Sequence, residues 1–415
     1  MKNEISFKSA SMYDLTHKVQ KNTLLNRGIL EIGGIAIPQV AMSNNKDEAL
    51  ERAGLSGLFF TLSFLTPLIF LPAFNRFFLK RSGVVKDFKG VEQRILNVSK
   101  KYLNGDADRM VEGIKATAKE LDAKKSSKQH KEAFNRILER FPDKEELRQK
   151  LLKIHKNVYT SDFLSTQWML GLAPWLCMEF TERRTHKKGF SAAFELKENT
   201  MDDKAYQTSK HKKMLINAVV ATIPALVVPR FVMKAVGGNH KLLVESGNIL
   251  KKQYGKLLTG IKKHAEWFDY TDSIYMSKPI FALMWLLSDY PNCLICARDK
   301  HERKDKAIRM GAMNVMFFGG DYAIGKTLNY LCKTISNKNI SQSKTGGVVL
   351  YWSSLLINMA LIGFGLPAML NRILRNDIAK EKLLESSKSK HNSDCYELKN
   401  PIFKDFKFDI TSGNK

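Results

Sequence analysis

AGLSGLFFTLSFLTPLIFLPAFN, residues Ala53 to Asn75, carries no charged side chain along its whole length. TGGVVLYWSSLLINMALIGFGLPAMLN, Thr345 to Asn371, repeats that property near the other end of the chain. An α-helix needs about 20 apolar residues to cross a hydrocarbon layer about 30 Å thick, and both stretches are long enough. In such a layer a backbone satisfies its own polar groups only as a helix or a closed barrel, and uninterrupted apolar runs suit the helix. The fold expected is therefore all-α: a multi-pass helical membrane protein with Pro/Gly-broken segments and a cytoplasmic helical-bundle insert. Both runs close on nearly the same phrase, Leu71-Pro72-Ala73-Phe74-Asn75-Arg76 and Leu366-Pro367-Ala368-Met369-Leu370-Asn371-Arg372. Pro72, Asn75, Arg76, Pro367, Asn371 and Arg372 read as a shared helix-break motif.

Weaker apolar segments surround these two. Ile29–Met42 is short and holds Glu31, Gly33, Gly34 and Pro38. Phe163–Met178 and Met214–Pro229 are marginal in length and depend on flanks such as Arg183 and Lys213 reaching back to the headgroups. Pro279–Ala297 contains Asp289 and Pro291. Met310–Ile324 contains Asp321 and glycines 311, 319 and 320, a composition suited to a re-entrant or buried segment.

The chain divides on this pattern. An N-terminal segment and membrane hairpin (1–81) leads into a polar insert of four helices (82–162). Apolar stripes mark these helices: Val91, Ile95, Val98 and Tyr102; Val111, Ile114, Ala118 and Leu121; Phe134, Ile137, Leu138 and Phe141; Leu147, Leu151, Ile154 and Val158. Breaks are expected at Asn104-Gly105 and Ser126-Ser127. Two membrane segments with a basic connector follow (163–237), then a basic amphipathic insert (238–278). In that insert Leu250, Tyr254, Leu257 and Ile261 form an apolar face among lysines, with Trp267, Phe268, Tyr270 and Tyr275 behind, the pattern of a helix lying in the headgroup region. The C-terminal membrane segments (279–375) precede a polar tail (376–415) expected to be disordered.

Lys and Arg number 67 against 41 Asp and Glu, a formal net charge of +26. The cations fall in the connectors, so the partners expected are the bilayer and anionic phospholipid headgroups. No stacking-aromatic basic stripe points to nucleic acid. Five scattered cysteines make no disulfide framework, and no secretory signal opens the sequence. The localisation expected is the inner or cytoplasmic membrane with both termini in the cytoplasm, because basic residues follow both strong spans. Simple alternation then places the basic connectors Thr181–Lys213 and Arg298–Lys344 outside. Met310–Ile324 and at least one other middle segment are therefore expected not to cross fully.

Ionisable residues in apolar segments mark polar paths or ligand sites. Arg230, Asp289, Asp321 and Lys326 are the candidates, with Asp321 and Lys326 placed to pair across one helical turn. Arg298, Asp299, Glu302 and Arg303 are ion-pair or headgroup candidates in the connector between two segments. Gly320-Asp321-Tyr322-Ala323-Ile324-Gly325-Lys326-Thr327 fits the P-loop pattern, whose glycines wrap phosphate while Lys and Thr engage phosphate and Mg²⁺. Against it, no acidic strand follows. Cys293 and Cys296 form a lone C-x-x-C without a second ligand pair. No catalytic constellation, metal site or cofactor is called for. The function expected is non-catalytic membrane organisation or lipid interaction. The alternatives are a carrier for a small solute or lipid, and a P-loop NTPase.

Overall fold

The computed structural model describes residues 12–20, 22–62, 66–84, 92–100, 107–123, 128–186, 203–268, 277–336 and 340–397. Among the described residues every regular element is helical and no strand occurs. The chain falls into two compact units, Met1–Pro367 and Ala368–Lys415.

Helices α1 (residues 12–20), α2 (Thr23–Ile29) and α3 (Ile37–Ala41) precede α4 (Lys46–Phe60) and α5 (Thr66–Arg81), which share the first apolar run. Next come α6 (Glu92–Lys100), α7 (Ala107–Ala123), α8 (Lys128–Arg140) and the long α9 (Lys144–Thr185). They are followed by α10 (Asp203–Gly237), α11 (Lys241–Val244), α12 (Ile249–Lys263), α13 (Lys278–Met284) and α14 (Tyr290–Cys296). The last are α15 (Lys300–Val315), α16 (Asp321–Ser336), α17 (Lys344–Ala360) and α18 (Leu366–Glu397). Among the described residues three helical stretches are long and apolar enough to cross a membrane: Lys204–Gly237, Lys278–Cys296 and Lys344–Leu384.

The spine is α9. Its 42 residues rise about 63 Å at 1.5 Å each. Asp143 caps it by accepting from the Glu145 amide at 2.9 Å, and Glu145 and Glu146 complement the dipole in the first turn. Leu147, Leu151, Ile154 and Val158 are buried together with Ile95, Leu96, Met110, Val111, Ile114, Phe134 and Ile137 of α6–α8. Inside that bundle Ser99 pairs with His155 at 2.9 Å. The sequence places a boundary at 162/163, but the helix runs through it into Phe163–Met178 and past Pro174. Bundle and apolar segment are one rod. The expected breaks at Asn104-Gly105 and Ser126-Ser127 lie outside the described residues, as do Tyr270 and Tyr275.

Contacts along α9 fix the direction of its neighbours. On α10, Lys210 meets Glu182, Thr222 meets Trp168, and Gly237 lies against Leu152, so the two helices are antiparallel. α4 and α5 are antiparallel to it as well, from Asp47 at Arg184, through Gly54 at Cys177, to Arg81 across a cleft from Asn157. The α13–α14 stretch runs parallel to α9: Gln167 donates to Met284 O at 3.1 Å, and Gly171 faces Asn292. Two ends result. One, the paired end, gathers Asp47, Glu179, Lys210 and Arg298. The other, the cleft end, gathers Arg81, Lys156, Arg230 and the α6–α8 bundle.

On the opposite flank α2–α3 and α17 lie side by side in one direction: Asn26 meets Tyr351, Gly34 meets Met359 and Pro38 meets Gly363. Arg52 reaches Gln39 O at 3.5 Å, which sets the Pro38 end at the paired end. The Leu366-Pro367 phrase therefore arrives at the paired end, while the Leu71-Pro72 phrase leads to the cleft end. Within the first unit, the two runs therefore point in opposite directions.

Besides a π-type stretch at Thr61-Leu62, four wide, π-type turns interrupt these segments: Leu30–Ala36, Trp285–Asp289, Met316–Gly320 and Leu361–Gly365. Three of these four end two residues before a proline, ahead of Ile37-Pro38, Tyr290-Pro291 and Leu366-Pro367. Proline gives no N–H to the carbonyl four residues back, and its ring collides with that carbonyl. Those residues are Gly34, Leu287 and Gly363, each inside the wide turn. The turn opens, and the helix then resumes. The fourth wide turn has another cause: Asn358 inserts its amide and donates to Met316 O at 2.9 Å. Neither Pro72 nor Pro367 breaks its helix, correcting the motif reading. α5 continues past Pro72, Asn75 and Arg76 to Arg81, and α18 continues past Pro367, Asn371 and Arg372 to Glu397. The start of the supposedly disordered tail is thus helical.

The wide turns Leu30–Ala36 and Leu361–Gly365 approach through glycine. A Cβ on Gly363 would stand 2.6 Å from Pro38 and 2.7 Å from Gly34 O, whereas one on Gly57 meets nothing within 4 Å. Gly363→Ala is expected to cost about 1–3 kcal/mol through overpacking. Gly57→Ala is expected to be neutral or to stabilise by up to about 1 kcal/mol. Thermal unfolding of the two purified variants checks the contrast, and equal midpoints would refute the close approach.

Candidate functional site

Two helices begin at the paired end with the same capping device. Asn45 Oδ1 accepts from the Glu48 amide at 2.8 Å, and Glu48 reaches back to the Asn44 amide at 2.7 Å. Asp299 Oδ1 accepts from the Glu302 amide at 2.8 Å, and Glu302 reaches back to the Arg298 amide at 2.6 Å. Both are capping boxes in which the carboxylate grips the residue before the cap. Arg298 then joins them: its guanidinium holds Glu302 at 3.0 Å and Glu51 of α4 at 2.7 Å, with its side chain 1% exposed. Lys306 adds a third contact to Glu302 at 2.8 Å, and Asp305 holds Arg309 at 2.7 Å. Burial by itself raises the Glu302 carboxyl, but the Arg298 and Lys306 charges outweigh it and hold Glu302 well below the usual carboxylate range. Close by, Lys210 bridges Glu179 and Glu182, and Arg183 holds Glu179 at 2.7 Å. Hydrogen bonds from Lys210 and Arg183 lower the Glu179 carboxyl.

A second ion pair is more central. Arg27 of α2, fully buried, holds Asp321 at 2.7 Å and also donates to Phe317 O in the wide turn before α16. Lys278 approaches the same carboxylate at 3.6 Å. Trp285 stacks on Phe317 with centroids 5.2 Å apart, and Phe281 and Phe318 close the cluster edge-on. Asp289 is fully buried, with Oδ1 3.6 Å from Cys293 Sγ.

The cleft end is different in kind. A cavity of about 710 Å³ opens between Phe78, Arg81 and Ser82 at the end of α5, Lys150 to Ser161 on α9, and Arg230 on α10. Five cations line it and no carboxylate does. Beside it α12 packs through Gly255 and Leu258 and leaves Ile249, Leu250 and Leu257 exposed, with Trp267 exposed beyond its end. Phe231 on α10 touches Tyr254 on α12, and Lys234 lies over the Tyr254 ring at 5.4 Å.

The structure separates the sequence candidates. Arg230 lies in the exposed cleft, Asp289 in the core, and Asp321 with Arg27; they do not share one polar path. Lys326 does not pair with Asp321 but sits over the Tyr322 ring at 4.7 Å, because Arg27 has taken that carboxylate. The P-loop reading fails on geometry. Residues 320–327 are wide turn and helix, and Thr327 donates its hydroxyl to Ala323 O at 3.0 Å, so no strand-to-helix loop exposes amides to phosphate. Arg298 and Glu302 are buried against each other and face no headgroup; Asp299 is a cap, and Arg303 is exposed. Cys296 accepts from Asn217 at 2.8 Å, while its C-x-x-C partner contacts Asp289. Among the described residues no cluster of three or more His, Cys, Asp or Glu is placed to hold a metal. Sequence reasoning missed Arg27, which stands in a polar N-terminal stretch, and missed the cleft, whose cations are scattered over three helices.

No protein-family model, curated protein or solved structure matches the chain.

Arg298→Ala removes the guanidinium that joins Glu51 to the buried Glu302 and is expected to cost about 3 kcal/mol. Arg303→Ala, at an exposed site, should stay within about 0.5 kcal/mol. Chemical denaturation distinguishes the two. Because the Glu302 pKa is depressed in the fold, its contribution is complete above the unfolded value of about 4.3 and is lost as pH falls through the lower folded value. Wild-type unfolding midpoints should therefore hold between about pH 5 and 8 and drop steeply below about 4, with a shallower acid drop in Glu302→Gln.

Proposed function

We propose that this chain is an integral membrane protein that crosses the bilayer several times and acts without catalysis, organising or binding anionic lipid through its cleft end on the cytoplasmic face. The observation that carries the reading is the contrast between the two ends. At the paired end, Arg52, Arg183, Arg184, Lys210, Arg298, Lys306 and Arg309 are bound to carboxylates. At the cleft end, Arg81, Lys153, Lys156 and Arg230 have no carboxylate partner among the described residues, and α12 shows an apolar sector flanked by Lys252, Lys256 and Lys263. An exposed apolar helix face bordered by lysines and followed by tryptophan suits the headgroup–acyl boundary.

Dimensions support it. Lys213 and Arg230 stand about 26 Å apart along α10, and Lys156 and Glu179 about 35 Å along α9, at 1.5 Å per residue. These bracket a hydrocarbon layer of about 30 Å. Between them α10 exposes Leu215 (69%), Ile223 (56%) and Val227 (57%), an unfavourable surface in water and a favourable one in lipid.

A carrier is the second reading. It is favoured by Glu31 and Asp289, both buried, each with one carboxylate oxygen lacking a hydrogen-bond partner. Flux through reconstituted protein that is lost in Asp289→Asn would install it in place of the organising role.

Single cysteines at Thr185 and Lys304 are expected to react from one face of sealed vesicles, and a cysteine at Lys156 from the other. Reaction of all three from the same face sinks the multi-pass reading. In liposomes, a nitroxide at Leu250 or Leu257 should be more accessible to oxygen than to a water-soluble relaxant, with the reverse at Lys252. A water-exposed signature at all three removes the interfacial helix.

A further inference from the structure

We propose that the cleft between α5, α9 and α10 is a binding site for a phosphomonoester carried on a hydroxylated headgroup. It rests on the membrane reading only for the source of that phosphate. Its volume, about 710 Å³, falls within the range of small-ligand sites. Arg81 from α5, Lys150, Lys153 and Lys156 from α9, and Arg230 from α10 meet around it. Lys150 shares its charge with Glu146 at 2.8 Å; the other four have no carboxylate partner among the described residues. Like charges brought together by separate helices repel, and an anion seated among them relieves that repulsion. The two arginines offer planar forks that match phosphate oxygens, and the lysines add point charge. Four unneutralised cations favour a dianion over a monoanion.

The neutral lining narrows the ligand further. Thr160 gives its hydroxyl hydrogen to Lys156 O at 2.7 Å, so its oxygen is left to accept. Ser82 also donates, to Leu79 O at 2.8 Å, and its oxygen keeps one lone pair besides the one that accepts from the Val84 amide at 3.3 Å. Asn157 adds an amide with both donor and acceptor. Acceptors among cations match ligand hydroxyls beside a phosphate, as on a phosphorylated polyol. Phe78 and Ile154 provide apolar contact for a carbon skeleton. Arg81 ends α5, and Arg230 directly follows the apolar run Met214–Pro229, which sets both guanidiniums at headgroup depth.

The full chain in phosphatidylcholine nanodiscs is titrated with phosphatidylinositol 4-phosphate, or with phosphatidylinositol or phosphatidylserine at matched surface charge. The same chain in neutral detergent is titrated with soluble inositol 1,4-bisphosphate. Binding of the phosphomonoester lipid is expected to be at least about tenfold tighter than that of the diesters, and to weaken as salt rises. It should fall by at least about tenfold in Lys153→Ala/Lys156→Ala/Arg230→Ala and stay within about twofold in Arg303→Ala/Lys304→Ala at the other end. If the triple variant unfolds early, Arg230→Gln alone is read instead. No preference for the phosphomonoester, or cleft variants that bind like wild type, overturns the proposal whatever the vesicle labelling shows. Soluble bisphosphate bound as tightly as the lipid supports the site and assigns it a free ligand, leaving cysteine labelling to judge the membrane reading separately.

Discussion

Arg298 holds together two helices, gripping Glu51 of α4, 247 positions away in the sequence, and Glu302 of α15. A guanidinium with its side chain 1% exposed survives only if its charge is answered on the spot, since an unpaired buried ion costs several kcal/mol. That requirement fixes the axial position of α4 relative to α15. Both helices are antiparallel to the chain that precedes them, so the same contact sets the level of α9, α10 and α14 through Arg184–Asp47, Lys210–Glu182 and Lys213–Ala297 O at 2.6 Å. The register of the assembly is set by ion pairs at this end and, further in, by the Arg27–Asp321 pair and close packing through glycine.

Pairing at one end has a consequence at the other. A chain with 67 basic and 41 acidic residues cannot neutralise itself, and where the acids are spent decides where positive charge remains. Glu48, Glu51, Glu179, Glu182 and Glu302 are spent at the paired end, on connectors that sequence alone reads as too basic to lie outside. Arg298, Lys306 and Lys210 are cations by composition and nearly neutral by contact. The conflict with the positive-inside bias is thereby reduced. Arg81, Lys153, Lys156 and Arg230, without a carboxylate partner among the described residues, lie at the cleft end, where the bundle and α12 also are.

Much of the helical character was legible, because apolar runs and stripes are local. Leu147, Leu151, Ile154 and Val158 share a face by spacing alone, and Arg298 and Glu302 stand one turn apart. The prolines were legible only in part. Pro38, Pro291 and Pro367 mark irregularity in any reading, but the sequence suggests a break, whereas the backbone absorbs each ring in one wide turn and continues. What stayed hidden is pairwise and distant. Arg27 looks like an ordinary surface cation until α2 lies against the turn at Phe317, and it then claims the Asp321 that spacing assigns to Lys326. On α12 the apolar face was readable, but its partner was not: Gly255 and Leu258 make the protein contact, and Leu250 and Leu257 are left over.

That leftover face bears on the choice between organiser and carrier. A carrier requires a ligand path between two ends, and its interior residues must part to let a solute through. Here the level of Asp289 and Asp321 is crossed by Trp285 stacked on Phe317, with Phe59, Phe281 and Phe318 in ring contact around them. Moving that cluster means exposing several aromatic faces at once and loosening Arg27 from the Phe317 carbonyl. The cleft asks for nothing comparable, since its cations are already exposed. A site that is open before its ligand arrives, at an end carrying an unpartnered apolar helix face, suits binding at a surface more than passage through an interior.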